Sequence, residues 1–441
     1  MKKIFTTIKN IFSIEELRVR IINTLGFLVI FRLGSQVVLP GVDAVAILDP
    51  NRQGFEGFLG MLDNFLGGAF SNASIFGLGI MPYISASIVI QLLTVAMPYF
   101  QKMQKEGDSG RKKINQITRV LTIAICLVQS SVYVSGTIQP EFILIDRTLF
   151  TFTSMIILTA GTIFCMWLGE KITDKGIGNG ISMLIMIGII SRFPGSIFAE
   201  WLHRGELSGA LLFIIELVGL FFVVMAVVAL TQAVRKIPIQ YAKQVVGNKV
   251  YGGQRQYLPL KVNSSGVMPI IFAQSLMFLP GMLTQFFPES DFVQSIGSQF
   301  NAPTTLAYNL SLGLLIIVFT FFYTAITINP NQIADDLKRN GGFIPGIKPG
   351  KPTSEFIDNI LTKITLPGSF FLALVAIFPG LAMKLGVEGN FAQFYGGTSL
   401  LIMVGVVLDT LQQIESYLLM RHYEGLMKSG KIKGRSQVAV A

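Results

Sequence analysis

Histidine and cysteine are nearly missing from this chain: 441 residues hold only His203 and His422, and only Cys126 and Cys165. The two thiols sit inside apolar runs, TIAICLV and TIFCMWL, without C-x-x-C spacing. That excludes a redox pair and a disulfide framework, and four scattered ligands make no metal cluster. The cysteines read as buried free thiols. Charge is scarce too, at 14% of residues against about 25% in a soluble domain. Catalytic signatures are also missing, with no HExxH, no nucleophile elbow and no Walker loop, so neither an enzyme nor a cofactor is expected. GIGNG at 176–180 has too little context for a nucleotide loop and reads as a turn into a helix.

Apolar length is what the chain does have. Hydrophobic residues make up 51%, and runs long enough to cross a hydrocarbon core of ~30 Å lie near 19–39, 73–97, 116–136, 149–168, 178–194, 209–231, 264–286, 306–328, 364–384 and 394–417. Ten spans place both termini on one side. Of 35 Lys and Arg, 29 fall on that same side, in the N-terminus through Arg20, in 98–119, 170–177, 232–262 and 329–363, and in the C-terminal tail. Arg52, Arg147, Arg192, Arg204 and Lys384 fall opposite, and Arg32 lies within the first run. This asymmetry makes the termini cytoplasmic. The first run is too long for a signal peptide and carries Arg32, so it is read as a retained helix, with Ser13 to Glu16 as a capping box leading into it.

Residues 58–74, FLGMLDNFLGGAFSNAS, are apolar but too short to cross. Were they to cross, 24 basic residues would change sides. The segment therefore either dips into the membrane and returns, buried in protein, or lies along the outer surface; from the residues alone the two readings stand level. Gly67-Gly68 would supply a flexible joint.

One motif occurs twice, 187 positions apart: GIMPYISAS at 79–87 and GVMPIIFAQS at 266–275. The copies lie in the second and seventh runs, which must point in opposite directions. That is the pattern of an inverted repeat of two five-span halves. Proline inside a helix costs roughly 3 kcal/mol unless compensated, so the two sites read as a mobile seam or as two static kinks. Ile80, Ile84, Ser87 and Gln91 form one stripe, and Val267, Ile271, Gln274 and Phe278 another. The glutamines would line a path or hydrogen-bond a neighbouring helix.

Together with KEGDSGRKKINQITR, MWLGEKITDKGIGNGIS, LPLKVNSSGVMPIIFA, GGFIPGIKPG and FYGGTSLLI, the first of these motifs and the runs around it closely resemble the SecY family, from about residue 13 to about residue 435. The resemblance implies an all-α polytopic membrane protein of ten transmembrane helices in two halves, 1–195 and 196–441, related by an inverted pseudo-two-fold repeat, with a re-entrant plug helix at 58–74. It implies a passive pore for unfolded secretory proteins and for lateral insertion of membrane proteins, in the cytoplasmic (inner) membrane. The plug would hold Phe58, Leu62, Asp63, Phe65, Gly67 and Gly68. A ring of aliphatic side chains at the waist would be Ile80, Ile84, Ile185, Ile271 and Ile402. A lateral gate would have Pro82, Ser85, Ser87 and Gln91 on one lip, and Pro269 and Gln274 on the other.

The partners implied are the SecE and SecG small subunits, the SecA ATPase, the ribosome, signal sequences and unfolded preproteins, and membrane lipids. Gly247-Asn248 in the 232–262 loop is a hairpin signal, and prolines would stiffen the tip of the 329–363 loop. On the resemblance, Arg235, Lys236, Lys249 and Arg255 in the first loop, and Lys338, Arg339, Lys348 and Lys351 in the second, would dock motor or ribosome. Lys348 stands where the family often has Arg, and Asn248-Lys249 where it often has a basic pair. The rival reading is a secondary transporter with inverted repeats. It needs embedded charges, for which Arg32, Glu216 and Asp409 are the candidates, scattered along the chain.

Overall fold

The computed structural model describes residues 12, 14–47, 63, 66–138, 140–204, 207–241, 244–246, 249–251, 255–274, 276–277, 295, 299–300 and 304–428. They are mostly helical. The first helix, α1, spans Glu15–Gly34. Its N-cap position is Ile14, without a side-chain cap, and Ser13 lies outside the described residues. The expected capping box thus falls in part outside the described residues; Glu15 and Glu16 place carboxylates at the positive end of the helix.

After a turn-rich stretch, α2 (Met81–Ala96) and α3 (Pro98–Lys105) follow, separated at the extended Met97. Then come α4 (Asp108–Thr137), α5 (Arg147–Lys175), α6 (Gly180–Arg204) and α7 (Leu207–Gln232). Asp146 caps α5 by accepting from the amides of Thr148 and Leu149 at 3.1 and 3.2 Å. The strands β1 (Val234–Tyr241), β2 (Gln244–Val246), β3 (Lys249–Tyr251) and β4 (Arg255–Lys261) come next. Short helical turns apart, α8 (Leu306–Thr327), α9 (Pro330–Arg339), β5 (Gly342–Phe343), α10 (Lys351–Lys384) and α11 (Gly397–Lys428) follow. The 329–363 stretch thus holds α9, β5, a connection through 344–350 and the start of α10. At φ +104° Gly350 turns the chain into α10, whose first turn accepts Pro352 because an N-terminal proline forfeits no helix bond.

Seven of these helices, α4 to α8, α10 and α11, are long and apolar enough to cross a membrane. Met81–Thr94 and Pro98–Gln104, bent by 100°, make an eighth if taken together. α1 falls short because Arg18, Arg20 and Arg32 join Glu15 and Glu16 within its 20 residues. Of 264–286, residues 268–274 and 276–277 are helical, and 278–286 lie outside the described residues.

The chain forms two compact units, residues 1–192 with 406–441, and residues 193–405. In the first, Leu39, Phe70, Leu78, Tyr133, Phe150 and Leu158 are buried in one core. Cys126 and Cys165 are buried free thiols, as expected. GIGNG does form the turn between α5 and α6. Gly178 has φ +82°, Asn179 caps α6 through the amide of Ile181 at 3.1 Å, and Gln413 accepts from the Gly178 amide at 2.8 Å. In the second unit, β4, β1 and β5 form an antiparallel sheet in that order. Its inner face, Ile237, Ile239 and Leu260, packs with Leu337, Ile344, Ile357 and Leu361.

Gly161 of α5 lies against the Ile75 backbone, where a Cβ would overlap the carbonyl. Gly161→Ala is therefore expected to destabilise the first unit by about 1–3 kcal/mol. Gly26→Ala, with nothing within 4 Å, should be neutral or stabilising. Thermal unfolding in detergent separates the two.

Candidate functional site

The repeated motif has the same local structure both times, and it is not a kinked helix. Gly79 takes φ +51° and Gly266 φ +65°, and the helix begins two residues later, at Met81 and at Met268. Each proline, Pro82 and Pro269, is the second helical residue and is buried. In each copy the residue after the glycine accepts the first helical bond from four residues on, Ile84 N to Ile80 O at 3.1 Å and Ile271 N to Val267 O at 3.4 Å. Proline at a helix start leaves no donor unpaired, so the interior penalty is not incurred. The expectation of a proline-broken helix is corrected accordingly: the chain above each proline is turn, not helix.

The five isoleucines fall three in one unit and two in the other. Ile80 is 3% exposed, at the N-cap of α2, while Ile84 and Ile185 of α6 are half-buried. In the second unit Ile271 is half-buried and Ile402 is 6% exposed. Ser85 and Ser87 are half-buried, and exposed Gln91 donates to Ser87 Oγ at 3.4 Å. Gln274 is buried and accepts from the Thr398 hydroxyl at 2.5 Å.

Of the residues expected in the plug, Phe58, Leu62 and Phe65 lie outside the described residues. Asp63, Gly67 and Gly68 are held by groups that sequence reading passed over. Asp63, 8% exposed, accepts from the Ser71 amide at 2.8 Å and the Ser71 hydroxyl at 2.9 Å, and pairs with Arg192 of α6. Arg192 also donates to Ser71 Oγ at 3.1 Å, and Arg32 of α1 donates to the Gly67 carbonyl at 3.2 Å. The two glycines have φ +62° and +91°. Their lack of a side chain makes room for arginine: a Cβ on Gly67 would stand 2.6 Å from Arg32 Nη1, and one on Gly68 2.7 Å from Arg192 Nη2. What reads in sequence as a flexible joint is a close approach of backbone to two guanidiniums. Downstream, Tyr133 donates to the Phe70 carbonyl at 2.6 Å, and Phe76 stacks between Phe31 and Phe164 at 6.0 and 5.8 Å. A lone arginine at the end of an apolar run is the signal that would have found Arg192.

The charges proposed for a transporter each have a setting within their own unit. Arg32 belongs to the Gly67 contact, and Asp409 is exposed. Glu216 pairs with Arg204, which also holds fully buried Glu200 at 2.9 Å and the Gly386 carbonyl at 2.8 Å. Glu200 in turn accepts from the Glu388 amide at 2.7 Å, so this cluster ties α6, α7 and the 386–388 turn of one unit.

Basic residues line the sheet and its neighbours. Arg235 and Lys236 on β1, Lys338 and Arg339 in the last turn of α9, and Lys348 and Lys351 beside α10 are all exposed. β2 and β3 pair Val246 with Lys249, which leaves a two-residue connection at Gly247-Asn248, itself outside the described residues. The side chains of Lys249 and Arg255 also lie outside them.

The SecY family model matches residues 74–411. The protein translocase subunit SecY of Streptomyces scabiei is 43% identical over 443 residues, covering 96% of this chain and 100% of its own length. A solved protein-conducting channel shares the fold with a TM-score of 0.64 at 17% identity, over 90% of this chain and 92% of that one. Sec61 in a canine ribosome–channel complex from the endoplasmic reticulum does so with a TM-score of 0.59 at 15% identity, over 90% and 92%.

Asp63→Asn removes the charge that Arg192 meets. Allowing for the solvent-exposed side of Arg192, the loss is about 1–2 kcal/mol. Amide hydrogen exchange across 68–74 is expected to accelerate about tenfold, and unchanged exchange in that segment would show that the backbone turns alone hold it.

Proposed function

The chain belongs to the SecY family, and from that membership we infer that it is the channel-forming subunit of a protein translocase. It passes unfolded secretory proteins across a membrane and releases membrane proteins sideways into it. It is a multi-span membrane protein with a non-enzymatic role, so the work of transport comes from a partner.

The finer reading is as follows. Ten spans, in halves 1–195 and 196–441 related by an inverted repeat, lie in the cytoplasmic (inner) membrane with both termini in the cytoplasm, as the distribution of basic residues supports. Ile80, Ile84, Ile185, Ile271 and Ile402 form the constriction. Aliphatic side chains offer a passing chain no polar partner and resist ions. Residues 58–74 form the plug, and the helices that start at Met81 and Met268 form the gate, with Pro82, Ser85, Ser87, Gln91, Pro269 and Gln274. The observation that carries this reading is the stretch 66–80. It is non-helical chain seated among apolar helices and held by Arg32 and Arg192, which is what a plug needs and a solute carrier does not.

Arg235, Lys236, Lys249, Arg255, Lys338, Arg339, Lys348 and Lys351 dock the ribosome and the SecA ATPase. Ribosomal RNA phosphates reward such basic contacts through counterion release, and the ribosome-bound channel that shares this fold supports a ribosome as partner. SecE and SecG accompany the chain, and signal sequences, preproteins and membrane lipids are its remaining contacts.

The decisive experiment reconstitutes the chain with its small subunits in proteoliposomes, adding motor, ATP and a signal-bearing unfolded preprotein. ATP-dependent protection of the preprotein from protease is expected. Its absence, where a known SecY complex works, would restore the transporter reading. In the same assay Lys348→Glu should slow motor-driven transport several-fold while Lys348→Arg keeps it, and a wild-type rate in the charge reversal would remove Lys348 from the docking surface.

A further inference from the structure

Ile271 and Ile402 belong to one unit, and a buried hydrogen bond joins the helical turns that carry them. The Thr398 hydroxyl donates to Gln274 Oε1 at 2.5 Å, across 124 positions of sequence. Thr398 is 1% exposed and Gln274 7%. Gln274 lies three residues after Ile271 in the helical segment 268–274, and Thr398 four residues before Ile402 in α11. Side chains three and four apart share a helix face, so the bond lies one turn from each isoleucine and beside both.

At the start of α11 the Ser399 hydroxyl donates to the Gln393 carbonyl at 2.8 Å, a bond within that turn and not one to segment 268–274. Phe272 packs on Phe319 and Tyr323 of α8, with ring centroids 5.5 and 5.2 Å apart. The start of α11 sits where a Cβ on Gly396 would overlap the Val375 carbonyl. Apolar packing is non-directional, whereas a hydrogen bond has a preferred line and is costly to leave unmade where water does not reach. A small rotation of either helix would separate donor from acceptor.

We propose that Thr398 and Gln274 are positioning residues. Their bond locks segment 268–274 and α11 in one rotational register and so sets where the Ile271 and Ile402 side chains point. It also occupies the amide oxygen of Gln274, one helical turn from Ile271, which would otherwise offer a passing chain or ion a partner. This role rests on the reading of the isoleucines as a constriction.

Resting ion conductance of the purified channel with its small subunits, in planar bilayers, tests it. Thr398→Val keeps the shape and removes the donor, and conductance rises several-fold. Thr398→Ser keeps the donor and stays at the wild-type level. Gln274→Met removes the acceptor and also leaks, providing a second route if the Thr398→Val channel does not assemble. The double variant lacks donor and acceptor alike and leaks as the single ones do, and wild-type conductance in it would overturn the positioning role. Wild-type conductance in both single variants, while Ile271→Ser conducts, would overturn the positioning role. So would equal leak from Thr398→Ser and Thr398→Val. Wild-type conductance in Ile271→Ser would instead refute the constriction, and the positioning role would fall with it.

Discussion

Backbone that leaves the helix among apolar helices has no water to bond with, and every turn it makes must be satisfied by the protein itself. The described stretch from Leu66 to Ile80 shows how. Its own turns close bonds such as Ser74 N to Ala69 O, and the chain at 37–39 exchanges bonds with Ala73 and Ile75 at 2.8 and 2.9 Å. Arg32 and Tyr133 take the carbonyls of Gly67 and Phe70. Much else in the first unit follows. Gly34 and Gly161 are glycines because Phe76 and the Ile75 carbonyl need the space, and Gly67 and Gly68 because two guanidiniums do.

The same accounting explains the scarce embedded charges. Arg32 and Arg192 hold one carbonyl and one carboxylate, and Arg204 holds Glu200 and Glu216. Each set pairs within its own unit and is linked to backbone, and one buried oxygen, Glu216 Oε2, has no hydrogen-bond partner among the described residues. A carrier that couples ions to solute needs charges left available for the cargo. A passive channel needs charges only where the chain must be held.

Much of the architecture was legible in the residues. Span length, the basic asymmetry and the spacing of turn signals follow from local chemistry, and so do the buried thiols, the GIGNG turn and the strands on either side of Gly247-Asn248. The repeated Gly-x-Met-Pro motif was legible as a repeat but not as a helix start, because proline is tolerated at the second helical position and penalised inside, and the sequence does not say which it occupies. Gln274 was open between lining a path and bonding a helix; Thr398, 124 positions away, decides it.

Composition and periodicity by themselves determined that this chain is a many-spanned helical membrane protein, since hydropathy acts on each segment without regard to its neighbours. Only the tertiary structure decided what individual polar residues are for. Asp63 meets Arg192 across 129 positions of sequence, and Gly67 meets Arg32 across 35. Such pairings depend on which helix faces come together, and no local pattern encodes that.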